Sequence, residues 1–197
     1  NEIMQSDLIY TTRVIQHSHL GTHAVFVFEN LFDDEYLQIM LNKTYNLTQK
    51  DTMNHATNVK GNMTNFDRMV DDPDFEKFHR TVISLLTTCV ALRTPNTNVP
   101  AYRIDESWGL KFEQGQHTLI HTHLARCCWS GTFCLQADEN SSEIFFPEFN
   151  YKCFNKANSL FLFPSSMIHG STPELSENPR ISLAFNIIDK IILQQGD

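Results

Sequence analysis

Short apolar segments separated by turn residues dominate the second half of this chain and constrain its fold more than any other feature. Six segments have the length and the β-branched or aromatic content of strands. They are residues 102–112, 117–121, 129–136, 143–146, 159–163 and 180–188, with turn signals at 114–116, 138–142 and 173–179. Many short strands of this kind predict a mainly β protein with a jelly-roll or double-stranded β-helix fold.

The clearest helix lies before these strands and is expected to buttress the sheet. Asp72 is a good N-cap, and Pro73 suits the first helical position. Apolar residues then recur at spacings of three and four up to Val90, and Pro95 follows the predicted end near Arg93. The helix carries a single histidine, His79, for which a surface or capping position is expected.

The rest of the first hundred residues reads as mixed structure. Residues 23–28 form an apolar run of strand type, and residues 33–41 predict a helix that opens on acidic side chains. Residues 42–70 are polar and rich in Asn and Thr, so an irregular segment is predicted there. Such a segment is either a lid over a functional site or an insertion without a function.

Size and charge define the broad class. The chain has 197 residues, which predicts one domain, with a mixed and partly helical support over residues 1–100 and the β core over 101–197. The formal net charge of −8 argues against binding to nucleic acid or to an anionic membrane surface, because both need a basic face. The sequence contains no apolar run near the roughly 20 residues that cross a bilayer. It carries no signal for an oligomeric state.

Cysteine usage suggests a reducing compartment. The five cysteines are an odd number and show neither a disulfide framework nor the spacing of a structural zinc site. Reduced cysteines that serve as small core residues are therefore expected. With no secretory-type segment at the start of the sequence, the predicted location is cytoplasmic.

Three histidines and one arginine carry the functional prediction. His121 and His123 are two residues apart, and two side chains at i and i+2 of a strand point to the same side. His169, 46 positions further on, could complete a three-point face on a metal ion and leave positions open for substrate and oxygen. Arg180 and Ser182 follow, and the guanidinium offers a planar fork for a carboxylate. Together these features indicate an oxygenase that uses a 2-oxo acid.

The order of these motifs resembles the Fe(II)- and 2-oxoglutarate-dependent oxygenases, and in particular a small prolyl-hydroxylase-like branch. The resemblance covers about residues 100 to 190. It is carried by His121-Thr122-His123, Trp129-Ser130-Gly131, Phe163-Pro164-Ser165 before His169, and Arg180-Ile181-Ser182.

The resemblance implies a double-stranded β-helix fold, Fe(II), 2-oxoglutarate and oxygen, with ascorbate as a candidate accessory reductant. It implies His121 and His169 as metal ligands. It also implies Arg180 as the anchor for the C5 carboxylate of 2-oxoglutarate, with Ser182 as its hydroxyl partner. The activity it implies is hydroxylation of a peptidyl proline or a similar group. The sequence does not identify the primary substrate.

His123 departs from the usual pattern of this family, which has His-x-Asp at these positions. Either His123 binds the metal, or it supports the site while a carboxylate elsewhere or a water is the third ligand. Glu143 and Glu148 are the nearest acids downstream. We predict that all three histidines are ligands.

Two other classes of protein fit part of the same pattern. Gly115 followed by His121-x-His123 resembles the opening of a cupin motif, but the glutamate and the second glycine of that motif are absent, and a cupin has no need of Arg180. A non-enzymatic β-sandwich would carry the histidines by chance. Retention of a metal and stabilisation by 2-oxoglutarate would separate these classes, because a ligand that binds only the native state raises its stability.

Overall fold

A computed structural model describes residues 24–50, 57–123, 127–139 and 141–190, and the backbone of three short strands before them. The described helices are α1 (Asp34–Lys50) and α2 (Glu76–Arg93), and neither is long and apolar enough to cross a bilayer. The strands are β1 (Met4–Gln5), β2 (Leu8–Ile9), β3 (Thr11–Gln16), β4 (Ala24–Glu29), β5 (Val59–Lys60), β6 (Asn62–Met63), β7 (Tyr102–Phe112), β8 (His117–Thr118), β9 (Trp129–Gln136), β10 (Glu143–Phe146), β11 (Tyr151–Phe154), β12 (Ser159–Pro164), β13 (Gly170–Ser171) and β14 (Arg180–Asp189).

Two antiparallel sheets form the body of the protein. The major sheet has the strand order β3-β4-β12-β9-β14-β7-β6, and the minor sheet has the order β11-β10-β13. Two further pairs, β5 with β8 and β1 with β2, lie outside them. This arrangement confirms the prediction of a mainly β protein with helices in support.

The central strands of the major sheet, β4, β12, β9 and β14, are buried on both faces, which explains their nearly continuous apolar sequences. On β4, Phe26 and Phe28 belong to the core under the helices, whereas Val25 and Val27 belong to the core against the minor sheet. The same alternation runs along β12, where Leu160 and Leu162 face the helices and Phe161 and Phe163 face the minor sheet. The side-chain period of two assigns every second residue to each core.

The same alternation places the polar residues of β14. Ile181, Leu183 and Phe185 are fully buried in the core under the helices. Arg180 and Ser182 therefore lie on the other face of the sheet, which looks into the space between the two sheets. The strand that carries the predicted anchor thus turns its apolar residues toward the helices, and Arg180, on its other face, lines the interior pocket.

Helix α2 confirms the helix predicted before the strands, and helix α1 continues beyond its predicted end at residue 41. A short 3₁₀ turn at Pro73–Phe75 precedes α2, and the Asp72 side chain accepts a hydrogen bond from the Asp74 N–H at 3.1 Å. Helix α1 continues to Lys50, so the prediction of irregular structure is wrong for residues 42–50. The buried face of this helix consists of Met40, Thr44 and Thr48, in which threonine methyl groups replace the usual apolar stripe.

The remainder of the segment predicted to be irregular contains local structure. Residues 57–70 include β5 and β6, which pair with β8 and β7. Residues 51–56 lie outside the described part of the chain, so the hypothesis of a lid remains a prediction for them. Among the predicted strands, 117–121 is shorter than expected, since β8 ends at Thr118. The short strands β11 and β13 were not predicted.

His79 is buried, and the expectation of a surface or capping position is wrong. It is 9% exposed, it packs against Phe75 and Phe78, and its Nε2 lies 2.9 Å from the hydroxyl of Ser107. Burial lowers the pKa of His79 to about 4. The position on α2 that faces β7 therefore holds a neutral imidazole with one hydrogen-bond partner.

This depressed pKa predicts a loss of stability in acid. Between about pH 6.5 and pH 4 the unfolded chain binds a proton at His79 that the folded protein does not, so the free energy of unfolding falls as the pH falls. His79→Gln retains a polar group but does not titrate. In the metal-free protein, the stability advantage of wild type over this variant should shrink by about 3 kcal/mol between pH 7 and pH 4. Urea unfolding at each pH measures it, and a constant difference would contradict the prediction.

Candidate metal centre and co-substrate pocket

The backbone brings the three predicted histidines together. His121 and His169 form an isolated antiparallel bridge, with N–H to O distances of 3.0 and 3.1 Å in the two directions. The His123 N–H donates to the Ser165 carbonyl at 2.8 Å. The convergence predicted from the i, i+2 spacing is thus present, but a single bridge and a loop contact hold it, rather than a continuous strand.

The imidazole nitrogens of the cluster lie close together. The ligand atoms of His121, His123 and His169 are all within 4.8 Å of one another. Nε2 of His123 is 3.1 Å from Nε2 of His121 and 3.3 Å from Nε2 of His169. Nitrogens bound to one ion at about 2.1 Å and at right angles would be about 3 Å apart. Two of the three Nε2 separations therefore match ligands at adjacent positions of an octahedral ion.

Hydrogen bonds to the backbone orient two of the rings. Nδ1 of His121 lies 2.7 Å from the Leu119 carbonyl, and Nδ1 of His169 lies 3.0 Å from the Met167 carbonyl. A carbonyl only accepts, so each Nδ1 must carry the proton, and each neutral ring then presents an Nε2 lone pair to the cluster. His123 can donate a proton to one of these nitrogens but not to both. A shared cation would satisfy all three, and a carbonyl behind a ligand histidine is a common support in metal sites.

The environment keeps these rings neutral. Burial lowers the pKa of His169 to about 3 and that of His123 to about 4, and the neighbouring His121 adds a smaller effect in the same direction. Burial also lowers the pKa of His121. At neutral pH the three rings are therefore unprotonated, as a metal ligand must be.

Carboxylates are absent from the cluster within the described ranges, because the only group of potential ligands found there is the three histidines. Glu148 accepts a long hydrogen bond of 3.4 Å from the Ile168 N–H instead. The donor set is therefore all nitrogen, which suits iron, copper, nickel or zinc. It fits the iron that the resemblance implies, without the negative charge of the usual aspartate.

Arg180 lies in the interior at the start of β14. It is 4% exposed, and its guanidinium stacks on the ring of Phe112 at 4.1 Å. Phe112 is the cross-strand partner of Arg180 on β7, so strand register creates this contact. Nη1 of Arg180 donates to the Ser182 hydroxyl at 3.1 Å, as the predicted partnership requires.

One pocket joins the histidines to the arginine. It is lined by His121, His123, His169 and Arg180 together with apolar side chains, the amide of Asn155 and three hydroxyl residues, Thr118, Thr132 and Ser171. Its walls include Trp108 and Phe112 from β7, whereas Trp129 and Phe133 pack in the core under the helices. All predicted metal ligands and the predicted anchor thus face a single, largely apolar cavity.

Gly131 explains part of the Ser-Gly motif on β9. This residue lines the pocket, and a Cβ atom there would collide with the ring of Phe185 and lie 2.7 Å from the Phe161 carbonyl. Only glycine fits between these neighbours. The neighbouring Ser130 donates to the Asn186 side chain at 2.9 Å, and Asn186 in turn donates to Glu106 at 2.6 Å.

Two residues of the anchor region were missed by sequence reasoning. The Ser171 hydroxyl lies 3.5 Å from Nη2 of Arg180, and the Glu174 carboxylate lies 3.6 Å from its Nε. Glu174 is 1% exposed, although it belongs to a turn between two prolines in which acids are ordinarily solvated. No local signal marks such a residue, because its burial depends on the packing of the turn against β14.

Comparisons with known proteins bear on the fold. No protein-family model matches the chain, and no curated protein matches it either. Among solved structures, it is similar to the viral collagen prolyl hydroxylase of Paramecium bursaria Chlorella virus-1 in complex with 2-oxoglutarate, with a TM-score of 0.58 and 14% identity, over 83% of this chain and 94% of that one.

Two further structures show the same similarity. One is a Trichoplax adhaerens prolyl hydroxylase in complex with a peptide fragment of hypoxia-inducible factor, with a TM-score of 0.64, 14% identity and coverage of 90% and 89%. The other is HygX from Streptomyces hygroscopicus with nickel and 2-oxoglutarate bound, with a TM-score of 0.62, 13% identity and coverage of 84% and 83%. The chain has the double-stranded β-helix fold of these oxygenases, as predicted.

Proposed function

We propose that this protein is an Fe(II)- and 2-oxoglutarate-dependent dioxygenase that hydroxylates a prolyl or similar substrate. One observation carries the proposal: three neutral imidazoles converge in the same pocket into which Arg180 projects. A 2-oxo dicarboxylate needs these two elements together, a metal for its oxo-acid end and a cation for its distal carboxylate. The solved structures of similar fold support the proposal, since two of them contain bound 2-oxoglutarate.

Each residue of the site has a distinct role in this proposal. His121, His123 and His169 would hold Fe(II) on one face and leave the opposite face for 2-oxoglutarate and oxygen. Arg180 and Ser182 would bind the distal carboxylate and orient the co-substrate. When bound, iron and 2-oxoglutarate supply the oxygen activation, which is coupled to decarboxylation to succinate. The apolar wall with Trp108, Phe112 and Phe163 would limit the access of water to the reacting groups.

Arg180 favours this function over the other classes of protein considered. A cupin would need the three histidines but not a buried cation in the same pocket. A β-sandwich that carried its histidines by chance would not be expected to place Nε2 of His123 at 3.1 and 3.3 Å from the Nε2 atoms of two other histidines. The choice of a prolyl substrate rests on the similarity to prolyl hydroxylases, and a cytoplasmic location on the reduced cysteines.

Succinate formation tests the proposed activity. The purified protein, supplied with Fe(II), ascorbate, oxygen and 2-oxoglutarate, should form succinate slowly without a primary substrate and faster with one. Proline-containing peptides that gain one oxygen atom, detected by mass spectrometry, would identify the substrate class. If the protein forms no succinate and binds no 2-oxoglutarate when loaded with metal, the proposal is wrong.

A further inference from the structure

A buried acid, Glu174, lies beside the guanidinium of Arg180. The two side chains are 0% and 5% exposed, and Oε2 of Glu174 is 3.6 Å from Nε of Arg180. This distance is too long for a hydrogen bond, and neither atom has another hydrogen-bond partner in the described part of the chain. The contact is therefore an electrostatic pair in a dry environment, where opposite charges attract strongly.

Different nitrogens of the Arg180 guanidinium face different groups. Its Nε faces Glu174, whereas Nη1 and Nη2 face the hydroxyls of Ser182 and Ser171. Arg180 and Ser171 line the pocket, and Glu174 does not. A ligand in the pocket would meet the Nη edge of a cation whose charge is already balanced from behind.

Local hydrogen bonds hold Glu174 in place. Its Oε1 accepts from the Ser176 N–H at 3.1 Å. Its backbone N–H donates to the Gln116 carbonyl at 2.9 Å, and its carbonyl accepts from the Gly115 N–H at 2.7 Å. The carboxylate is therefore tied to its own turn and the backbone of Glu174 to the turn after β7, so the carboxylate would remain beside Arg180 when a ligand arrives.

We infer that Glu174 is an internal counter-ion that competes with the distal carboxylate of 2-oxoglutarate for Arg180 and so weakens the binding of the co-substrate. The inference rests on the proposed function. In the free protein Glu174 spares Arg180 the large cost of a buried unpaired charge. In the complex the two carboxylates share one cation and repel each other. The same ion pair thus stabilises the empty pocket and lowers its affinity.

The charge count of the pocket is consistent with this role. The histidine at position 123 removes the negative charge that the usual aspartate ligand would supply. With Fe(II), dianionic 2-oxoglutarate, Arg180 and Glu174 together, the buried charges cancel. Before the co-substrate binds, Glu174 lowers the combined charge of Fe(II) and Arg180 from three positive charges to two, which weakens the attraction for the dianion.

Calorimetric titration of the Mn(II)-loaded protein with 2-oxoglutarate tests the inference. Glu174→Gln should lower the Kd for 2-oxoglutarate about tenfold, because the anchor loses its competitor. The ligand-free variant should melt at a lower temperature, since Arg180 is then buried without a counter-ion. Affinity for 2-oxopentanoate, which lacks the distal carboxylate, should not change.

Glu113→Gln is the matched control. Glu113 follows Phe112, its side chain is 62% exposed, and it pairs with Lys111 at 3.0 Å. This substitution changes the net charge equally but should leave both affinities unaltered, since solvent screens the charge. If Glu174→Gln does not fold, Glu174→Asp withdraws the carboxylate by one methylene and should tighten binding in the same direction by a smaller factor.

The possible outcomes separate the inference from the proposed function. Equal binding of 2-oxoglutarate to Glu174→Gln would overturn the inference, and weaker binding would overturn it and assign Glu174 to positioning Arg180. Tighter binding of both 2-oxo acids would also overturn it, because the effect would then not act through the distal carboxylate. If the wild-type protein with Mn(II) binds no 2-oxoglutarate, the proposed function itself fails.

Discussion

His169→Ala should lower the affinity of the protein for Fe(II) by at least about a hundredfold, because it removes a ligand and not merely a supporting group. His169 is the most buried of the three histidines, at 7% exposure, and its ring packs against Phe163 at 4.4 Å between centroids. Metal analysis after dialysis, with Mn(II) titration as a second measurement, would detect the loss. Succinate formation should disappear with it.

Three further variants make this result specific. His169→Gln keeps most of the side-chain volume, so an equal loss of metal in this variant rules out a packing defect as the cause. His117→Ala removes a histidine of β8 that does not belong to the cluster, and it should retain one equivalent of metal. If His169→Ala retained a full equivalent of metal, the proposed metal centre would be wrong. If His123→Ala keeps metal and activity, His123 supports the site without binding the ion.

Arg180→Lys should weaken the binding of 2-oxoglutarate by about tenfold to a hundredfold while the metal content stays unchanged. An ammonium keeps the charge but cannot reproduce the planar fork that meets a carboxylate with two parallel hydrogen bonds. It also loses the stacking on Phe112 and cannot serve Glu174, Ser171 and Ser182 at once. Calorimetry on the Mn(II)-loaded protein measures the effect without any need for turnover.

The control for this variant is Arg103→Lys on the outer part of β7. Arg103 is half exposed and pairs with Asp105 at 3.1 Å, so the same exchange there should change neither affinity nor metal content. Unchanged affinity in Arg180→Lys would show that the co-substrate does not use this arginine. The cupin class would then regain support, because it accounts for the histidines without a buried cation.

Particular strands show why so much of the fold could be predicted from local patterns. The runs at 102–112, 129–136 and 159–163 are long and apolar, and the structure contains strands there within about a residue. Helix α2 has strong start and stop signals and confirms its prediction. In contrast, α1 was predicted to end too early, because Thr44 and Thr48 bury their methyl groups although they read as polar residues.

The candidate site likewise has a part that local sequence patterns predict and a part that they do not. The sequence by itself determined the residue types and their order: two histidines at i and i+2, a distant third, and an arginine followed by a serine. Those positions predicted the cluster because side-chain direction depends on a local period. The sequence also placed Arg180 and Ser182 on one side of a strand whose alternate residues are apolar.

Only the tertiary structure decided which groups meet these residues. The bridge between His121 and His169, the carbonyls behind their Nδ1 atoms and the burial of Glu174 beside Arg180 all join positions that are distant in sequence or lie in turns. His79 became a core residue for the same reason, since α2 packs it against Ser107 of β7. Burial and charge pairing arise from the packing of whole elements, and no local period encodes them.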